Sequence, residues 1–299
     1  MVKSAVILLN YNTSSDCRKC ISYLKKQQNV DIEIVVVDNC SCKSDLSQLR
    51  TLCKEELCTL IENKKNQGYN AGNNIGLRYA AHKGYEYALI ANPDMEFPNQ
   101  NYLIELFNTI SSDSEVVACG SDIIGLDGKH QNPLKKDDQW WHSYCWILLP
   151  FKKKNKSANI HTEDYKQSHN CYKLHGCCFF VNIPFIKSIG FLDEHTFLYC
   201  EESILARQVL LKGRKMFYNA SVQAIHAHVD SNKGNPILRM KQWKNSRIYF
   251  INKYSNYSWL GKHLSILSIS FYFLIFSILK KPYRSNKYEK ETQRNNNKK

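Results

Sequence analysis

The sequence predicts an α/β fold built on an open, mostly parallel sheet. Apolar runs at residues 5–9 and 32–37 show no alternation with polar residues, which is typical of strands buried on both faces. Segments with helical spacing lie between such runs, and this alternation continues to residue 121. A β-strand joined through a helix to the next parallel strand implies right-handed crossovers.

The individual elements follow in order. The first strand is followed by a predicted helix over residues 14–27, for which Ser14 or Ser15 is a candidate N-cap. Strands are predicted at 32–37, 59–62, 87–91 and 116–121, and helices at 45–58, 71–82 and 101–111.

The second half departs from this rhythm. An aromatic and apolar cluster at 140–151 ends in Lys152, Lys153 and Lys154 and could be a membrane contact or a lid packed on the core. We then predict a strand at 174–181, a helix at 201–211, short strands at 215–218 and 222–226, and a basic amphipathic stretch at 239–252. Residues 285–299 are polar and are predicted to be disordered.

The twelve cysteines are predicted to be reduced thiols. The N-terminal apolar run is too short for the core of a signal peptide, and no small-residue cleavage site follows it. Cys17 and Cys20 have C-x-x-C spacing, but no second pair with that spacing supports a zinc site.

The positive charge is concentrated near the C-terminus. Residues 233–299 hold 15 Lys and Arg against 2 Asp and Glu, whereas residues 1–232 hold 26 against 25. This asymmetry favours contact with a polyanion, either nucleic acid or an anionic membrane surface. A nucleic-acid-binding protein is the competing hypothesis, although the basic residues are not interleaved with a recognisable readout motif.

Polar residues follow three of the predicted strands, where ligands bind in an open parallel sheet. They form three groups, namely Asn10, Tyr11 and Asn12, then Asp38, Asn39 and Ser41, then Asn92 and Asp94. The alternative is that these residues only form turns and cap helices, as Asp and Asn often do.

A segment at residues 66–76 places Gly68, Gly72 and Gly76 at four-residue spacing among several asparagines, at the start of a helix. A helix N-terminus favours a negatively charged partner such as a phosphate. The segment lacks the dinucleotide fingerprint and is not a P-loop, because no Gly-Lys-Ser/Thr follows.

These motifs, taken in order, resemble those of the inverting GT-A glycosyltransferases of family 2, in particular the bacterial rhamnosyltransferase-like subgroup. The resemblance covers about residues 3–230 and extends over seven segments, at 9–12, 36–41, 66–76, 92–94, 190–194, 199–202 and 225–228. It implies a GT-A fold with a nucleotide-binding half and a smaller acceptor-binding half.

The resemblance implies that Asp38 reads the base of the donor nucleotide, against which Tyr11 packs. Asn92-Pro93-Asp94 stands where most relatives have Asp-x-Asp, so Asp94 would hold Mn²⁺ or Mg²⁺ against the donor diphosphate. The full set implied for donor binding is Tyr11, Asn12, Asp38, Asn66, Gly68, Gly72, Asn74, Asn92 and Asp94.

The family's acidic pair corresponds to Glu201 and Glu202. Glu202 would be the general base that removes the proton of the acceptor hydroxyl, and Glu201 is its rival for that role. Alternatively, both acids only stabilise the N-terminus of the helix that follows. His226 would lie at the metal, with His228 as an alternative.

The resemblance places Gly176, Asp193 and Glu194 on the acceptor side. The donor would be dTDP-rhamnose or a UDP-hexose such as UDP-glucose. The acceptor would be a hydroxyl of an undecaprenyl-diphosphate-linked saccharide in the biosynthesis of O-antigen, lipopolysaccharide or capsule.

The C-terminal apolar segment, 264–279, has 16 residues, whereas a spanning helix needs about 20. A helix lying on the membrane is preferred over a core or dimer helix, and a span is the third possibility. We therefore expect a catalytic domain over 1–232, divided at residue 125, a membrane-associating segment over 233–284, and a disordered tail. The protein would be peripheral to the cytoplasmic face of a bacterial inner membrane.

Overall fold

The computed structural model describes residues 2–136, 164–228 and 235–279. The nine strands of these residues form one sheet. They are β1 (Val2–Asn10), β2 (Val30–Asp38), β3 (Thr59–Glu62), β4 (Tyr87–Ala91), β5 (Met95–Glu96), β6 (Val116–Gly125), β7 (His169–Cys171), β8 (Cys178–Asn182) and β9 (Lys215–His226). The helices are α1 (Ser14–Leu24), α2 (Lys43–Glu55), α3 (Tyr69–His82), α4 (Tyr102–Ser111), α5 (Ile183–Ser188), α6 (Glu201–Leu211), α7 (Pro236–Lys253) and α8 (Trp259–Leu279).

The parallel part of the sheet has β1 at its centre. β1 pairs in parallel with β2 on one side and with β4 on the other, and β3 extends the sheet beyond β2. The chain changes direction across the sheet at β1, so the carboxyl ends of β1, β2 and β4 enclose a crevice of the kind where ligands bind.

The second half of the sheet is mixed rather than parallel. β8 pairs antiparallel with both β4 and β6. It therefore separates β4 from β6, which the alternation of strands and helices in the sequence predicts to be parallel neighbours. The two short strands predicted at 215–218 and 222–226 are one strand, β9, whose pairing with β6 carries a register shift at Ser121/Asp122. A local bulge allows a strand to continue past an irregular residue.

Helices cover both faces of the sheet. One core cluster joins α1, α2 and α4 to one face, and the other joins α3, α5 and α6 to the opposite face. A third cluster packs α6 against α7 and α8 through residues including Ile204, Phe250, Ile251 and Ile269. The C-terminal helices are therefore attached to the helix that begins with the predicted acidic pair.

Two glycines of the segment at 66–76, Gly72 and Gly76, bring α3 against β1. A Cβ at Gly72 would lie 2.4 Å from Cδ1 of Leu9, and one at Gly76 would lie 2.6 Å from Cγ2 of Ile7. The structure therefore gives Gly72, one of the residues implied for donor binding, a role in helix–sheet packing.

The described cysteines are all free thiols, as the sequence predicts. Cys17 and Cys20 are fully buried on the inner face of α1, where they pack as small apolar side chains. The cluster at 140–151 and the tail at 285–299 lie outside the described residues.

The apolar C-terminal helix is longer than the 16-residue apolar segment at 264–279. α8 begins at Trp259 and has 21 residues, which makes it about 30 Å long and removes the argument from length against a span. Among the described helices it alone is long and apolar enough to cross a membrane.

Candidate active site

The base-binding end of the predicted site is formed where β1 and β2 end. Asn10 is fully buried, and its Nδ2 donates to Oδ1 of Asp38 at 3.0 Å and to Oδ2 of Asp45 at 2.9 Å. The other carboxylate oxygen of Asp38 accepts from the backbone N–H of Ser41 at 3.1 Å. Asp38 is 1% exposed, so it holds the two strand ends together at the bottom of the crevice.

The exposed rim of this end carries Tyr11, Asn12 and Asn66. Tyr11 is 41% exposed. Burial of the rest of its ring raises the pKa of its hydroxyl, which a hydrogen bond with Asn66 partly offsets. Asn12 has a φ of 59° and accepts from the backbone N–H of Cys42 at 2.8 Å, so it shapes the loop. Tyr11 and Asn66 form the open platform on which a planar base could stack.

Asn74, Asp193 and Glu194 lie away from this crevice. The buried Asn74 donates to the carbonyl of Leu192 at 2.8 Å and to Oε1 of Glu194 at 2.7 Å, and it accepts from the N–H of Leu192. The structure thus gives Asn74 no free group for the donor, because all its polar atoms tie α3 to the loop before α6.

Asp193 fastens α7 to that loop. It accepts from the backbone N–H of His195 at 2.9 Å, the hydroxyl of Tyr249 at 2.7 Å, Nζ of Lys253 at 3.1 Å and the hydroxyl of Tyr254. Burial opposes its charge, but these hydrogen bonds outweigh burial and hold its pKa below the usual range. Asp193 and Glu194 line a separate cavity, so the structure does not place them with the other acceptor residue, Gly176.

The pairing of β4 with β8 brings the predicted diphosphate and acceptor sides together. The backbone N–H of Asn92 donates to the carbonyl of Cys177 at 2.7 Å, directly beyond the Ala91–Cys178 pair. The buried hydroxyl of Tyr69 lies 2.6 Å from the carbonyl oxygen of Gly176 and 3.1 Å from Oδ1 of Asn92. Tyr69, from the start of α3, therefore joins Asn92 to Gly176.

Asp94, His226 and His228 form a cluster of potential metal ligands, with one donor atom from each within 4.8 Å of the others. The pairing of Met95 with His226 places the end of β9 beside Asp94. Nε2 of His226 lies 3.4 Å from Oδ1 of Asp94, and Nδ1 of His228 lies 3.1 Å from Oδ2. Burial opposes the charge of Asp94, but the nearness of the two histidines outweighs burial and lowers the pKa of Asp94.

The donor atoms of this cluster fit a divalent cation. Oδ1 of Asp94 and Nε2 of His226 are both buried without a hydrogen-bond partner. Nδ1 of His226 donates to Oε1 of Gln131 at 2.7 Å, so in the neutral ring Nε2 is the nitrogen whose lone pair faces Asp94. A carboxylate oxygen and a neutral imidazole nitrogen are both ligands that Mn²⁺ accepts.

The acidic pair is directed into the site by an unusual backbone. Tyr199 and Cys200, immediately before α6, have φ values of 76° and 68°. Two consecutive side chains in the left-handed region are costly and are found mainly at functional sites. Tyr199 and Cys200 end the loop before α6, and Glu201 and Glu202 are the first two residues of that helix.

Glu202 is held by the glycine opposite it. Its Oε1 accepts from the backbone N–H of Gly176 at 3.2 Å, and a Cβ at residue 176 would lie 2.9 Å from the same oxygen. Gly176 therefore makes room for the carboxylate of Glu202. The carbonyl oxygen of Gly176 is also the group that Tyr69 joins to Asn92.

Glu201 differs from Glu202 in its environment. Burial, reinforced by the neighbouring charge of Glu202, raises the pKa of Glu201 to about 8. Its Oε1 is buried with no hydrogen-bond partner. Glu201 is thus held largely protonated at neutral pH, beside a carboxylate that contacts the backbone of Gly176.

Both glutamates line a cavity of about 670 Å³. Asn92, Tyr69 and Gly176 also line it, and Trp243 and Arg247 reach it from α7. The volume lies within the range of small-molecule sites, about 300–1,000 Å³. The cavity thus contains the acidic pair and Asn92 together.

Several residues of the site were missing from the sequence-based set. His175 lies between the two centres, with its ring 5.8 Å from that of His226 and its Nδ1 accepting from the N–H of Cys177. Burial lowers the pKa of His175, with Glu202 opposing the shift. Gln131 and Arg247 carried no recognisable signal, because only the folded chain brings them to the site.

The buried glutamate leads to a prediction about stability. Glu201→Gln is expected to raise the Tm at about pH 9 and to leave it unchanged at about pH 4. In the unfolded chain this carboxyl ionises near pH 4.3, as glutamates do on average. In the folded chain its pKa is raised to about 8. The wild type therefore loses stability as pH rises from the unfolded pKa to the folded pKa, and Gln does not.

The measurement is a series of thermal melts of the wild type and of Glu201→Gln between about pH 4 and about pH 9. Glu55→Gln is the matched control, because Glu55 has an exposed side chain on α2. Parallel Tm curves for wild type and Glu201→Gln would contradict the raised pKa.

With the geometry established, comparisons with known proteins assign the chain to a family. The sequence profile of the family described as Glycosyl transferase family 2 matches residues 5–181, which is more than half of the chain. The chain belongs to glycosyl transferase family 2. The matched residues include Asp38, Asn92, Asp94 and Gly176 of the site, whereas Glu202 and His226 lie beyond them.

One curated relative is similar over much of the chain. It is the low-salt glycan biosynthesis hexosyltransferase Agl10 of Haloferax volcanii, 28% identical over 201 residues, which are 66% of this chain and 58% of the relative. The chain thus matches less than two thirds of the relative's length.

Solved structures share the fold at low identity. A mannosyltransferase from Pyrobaculum calidifontis in complex with GDP-Man and Mn²⁺ has a TM-score of 0.58 and 14% identity, covering 98% of this chain and 84% of that chain. GalNAc-T7 with UDP, GalNAc and Mn²⁺ has a TM-score of 0.60 and 16% identity, covering 99% and 55%. This family 2 chain therefore has the GT-A fold.

Proposed function

We propose that this protein transfers a hexosyl or deoxyhexosyl unit from a nucleotide-diphosphate sugar to a hydroxyl of a lipid-linked saccharide, with inversion at the anomeric carbon. The observation that carries the proposal is the chain of contacts from Glu202 through Gly176 and Tyr69 to Asn92. These contacts join the carboxylate of Glu202 to the segment that bears Asp94, which supports a shared reaction centre.

In this proposal the donor lies along the carboxyl ends of β1, β2 and β4. Tyr11 and Asn66 would support the base, while Asp38 keeps the crevice in shape from beneath. The relatives' structures contain UDP or GDP-Man. For this chain, dTDP-rhamnose and UDP-hexoses such as UDP-glucose are the proposed donors.

Asp94 and His226 would hold the divalent cation, with Gln131 fixing the tautomer of His226. The cation would neutralise the charge that develops on the leaving diphosphate. Asn92 brings no charge of its own, so Asp94 supplies the only carboxylate of the Asn92-Pro93-Asp94 segment.

Glu202 would take the proton of the acceptor hydroxyl as its oxygen attacks the donor sugar from the face opposite the diphosphate. The contact with the N–H of Gly176 fixes one carboxylate oxygen and leaves the other for that proton. A direct displacement of this kind inverts the anomeric centre. Glu201, protonated at neutral pH, would serve as a hydrogen-bond donor at the same wall.

The acceptor is proposed to be presented at an anionic membrane by α8. The side of this helix that packs inward is made mainly of small residues, Gly261, Ser265 and Ser268. Its outward side bears Leu260, Leu267, Phe271, Leu274 and Ile278, all exposed. Water-facing helices of folded domains show the opposite distribution, so this outward side suits a lipid surface.

The packing of α8 favours a position along the membrane surface over a span. Trp243 and Lys244 of α7 contact the rings of Tyr272 and Phe273, at 6.5 Å between ring centres and 4.5 Å from Nζ to the ring centre. A span would take the charged helix α7 into the bilayer with it, which is costly. The protein would therefore be peripheral, at the cytoplasmic face where polyprenyl-diphosphate-linked saccharides of O-antigen or capsule type are extended.

Replacing Leu267, Phe271 and Leu274 by Gln is expected to weaken binding to anionic vesicles by about 10³-fold, since each buried side chain of this size contributes about 1.5 kcal/mol. Salt should weaken binding of the wild type, because attraction of Lys and Arg to the surface is screened. The measurement is co-sedimentation with vesicles that contain phosphatidylglycerol.

The matched control is the triple replacement of Leu57, Leu126 and Leu211 by Gln, since these leucines are at least 63% exposed and lie outside α8. This control should sediment like the wild type. Unchanged sedimentation of the α8 variant would refute the membrane surface proposed here.

The test of the transferase proposal is a donor screen with Mn²⁺ and a synthetic lipid-diphosphate-linked monosaccharide. The screen contains dTDP-rhamnose, UDP-glucose, UDP-galactose and other UDP-hexoses, and NMR of the product gives the anomeric configuration. We expect one preferred donor and an inverted linkage. A retained configuration, or no transfer from any donor, would contradict the proposal. The competing nucleic-acid hypothesis rested on charge alone, and membership of a glycosyltransferase family favours the enzyme.

A further inference from the structure

One histidine at the reaction centre, His175, has no role in the proposed reaction. Its ring centre lies 5.8 Å from that of His226, which belongs to the candidate metal cluster. The backbone N–H of the next residue, Gly176, donates to Oε1 of Glu202 at 3.2 Å. His175 therefore lies between the cluster at Asp94 and the carboxylate proposed as the base, and it lines the cavity that contains that carboxylate.

Two hydrogen bonds hold His175 in place, one at its backbone and one at its ring. Its backbone N–H donates to Oδ1 of Asn132 at 2.9 Å, and Nδ2 of this fully buried asparagine donates to the carbonyl of Ser121 at 2.7 Å. Nδ1 of the ring accepts from the backbone N–H of Cys177 at 3.1 Å. The ring is thus positioned by the chain itself, which is what a precise contact with a ligand requires.

The contact with Cys177 also determines which nitrogen of the ring carries a proton. A ring nitrogen that accepts from a backbone N–H has no proton of its own, so His175 is neutral and its proton is on Nε2. Within the part of the chain that the structure describes, no group accepts a hydrogen bond from this Nε2–H. The ring therefore offers one neutral N–H donor to a molecule bound in the cavity.

In the proposed reaction, the group nearest to His175 is the transferred sugar. The diphosphate would lie at Asp94 and the acceptor hydroxyl at Glu202, and the displacement needs the anomeric carbon between the two. A side chain between these centres faces the sugar rather than the nucleotide. A neutral N–H donor suits a sugar hydroxyl, whereas phosphate oxygens bind most strongly to cationic donors.

We propose that Nε2–H of His175 donates a hydrogen bond to a hydroxyl of the transferred sugar and thereby takes part in selecting the donor. The inference rests on the proposed function and adds a contact with the sugar to the contacts with the base and the diphosphate. A site built to hydrogen-bond a substrate hydroxyl rejects analogues that lack it, because its own polar group is then left unpaired.

The test uses two replacements that each keep one half of the imidazole. Gln has an N–H donor at about the position of Nε2, but it has no acceptor for the N–H of Cys177. Asn has an acceptor at about the position of Nδ1, but it has no donor at the position of Nε2. A histidine that only shapes the segment would be replaced better by Asn, whereas one that binds the sugar is replaced better by Gln.

The measurement is equilibrium binding of UDP-glucose, UDP, dTDP-rhamnose and dTDP to the full-length protein with Mg²⁺. His175→Asn is expected to weaken binding of the preferred nucleotide sugar by about 5–100-fold and to leave its nucleoside diphosphate within about twofold. His175→Gln should keep both affinities within about threefold of the wild type. His82→Asn is the matched control, because His82 is exposed at the end of α3, and it should bind like the wild type.

Deoxy analogues of the preferred nucleotide sugar identify the hydroxyl. Removing the hydroxyl that His175 contacts should weaken binding to the wild type. The same removal should have no further effect in His175→Asn, because the pair of groups is already broken there.

A second readout uses the wild type and covers the case in which His175→Asn does not fold, as judged by circular dichroism. In protein with ¹⁵N-labelled histidine, the Nε2 signal of His175, assigned with His175→Gln, should move when the nucleotide sugar is added. It should move much less with the nucleoside diphosphate.

Three results would overturn the inference. The first is equal weakening of the nucleotide sugar and of the nucleoside diphosphate in His175→Asn. The second is wild-type binding in His175→Asn beside weakened binding in His175→Gln, which leaves His175 only its contact with Cys177. The third is an Nε2 signal that responds equally to both ligands. None of these experiments measures transfer, so a protein that binds as expected but transfers no sugar would refute the proposed function and leave the sugar contact standing.

Discussion

Glu202→Gln is expected to lower kcat by about 10²–10⁴-fold, the usual contribution of a general base. Gln keeps the size of the side chain and its contact with the N–H of Gly176, through which Glu202 is positioned. It cannot accept the proton of the acceptor hydroxyl at neutral pH. The lost interaction belongs to the transition state, so kcat should fall while the donor KM changes little.

Glu201→Gln is the internal comparison, made in the same assay. Because the pKa of Glu201 is raised to about 8, its carboxyl is largely protonated at neutral pH and resembles an amide in charge. We therefore expect a milder loss than for Glu202→Gln. A fully active Glu202→Gln protein beside an inactive Glu201→Gln protein would transfer the role of base to Glu201. Full activity in both would remove the acidic pair from the mechanism.

Asp94→Asn is expected to weaken Mn²⁺ binding by more than about 100-fold, since even indirect partners of a metal site contribute about 10–100-fold. The substitution removes the charge but keeps the shape next to His226, whose Nε2 lies 3.4 Å from Oδ1 of Asp94. Binding of Mn²⁺ can be followed by electron paramagnetic resonance in the presence of a nucleoside diphosphate, without turnover. Chelation by EDTA should abolish transfer in the wild type, and added Mn²⁺ should restore it.

The two histidines provide the comparison for this experiment. His226 is 8% exposed and is oriented by Gln131, whereas His228 is exposed and meets the other carboxylate oxygen. His226→Ala should therefore weaken Mn²⁺ more than His228→Ala does, and Gln131→Ala should give an intermediate loss. Unchanged Mn²⁺ binding in Asp94→Asn and His226→Ala together would remove the metal from this site.

The parts of the fold that the sequence predicted well are those with strong local patterns. The unbroken apolar runs of β1 and β2 and the spacing of α1 and α3 lead directly to the observed parallel core. The pairing of β8 between β4 and β6 was not predicted, because a five-residue apolar strand carries no information about its neighbour or its direction.

The predicted site residues form two groups, which differ in what their polar atoms contact. The resemblance led to Asp94, His226 and Glu202, and the structure brings Asp94 to His226 and Glu202 to Gly176. Asn74 and Asp193 carry the same kinds of polar group in the same motifs, yet their hydrogen bonds join loops and helices of the chain itself. A motif records the residue type, whereas the partner of each atom is set by packing.

By itself the sequence determined the α/β class, the family resemblance, and the positions of the acidic pair, the aspartate at the predicted metal site and the apolar C-terminal helix. These follow from residue order and short-range spacing, which a linear chain displays directly. Only the tertiary structure decided that Gln131 orients His226, that Gly72 packs on Leu9, and that Lys173 and Arg247 meet in one cavity. The physical reason is that such contacts join residues far apart in the chain, and their geometry depends on strand pairing and helix packing that no local pattern specifies.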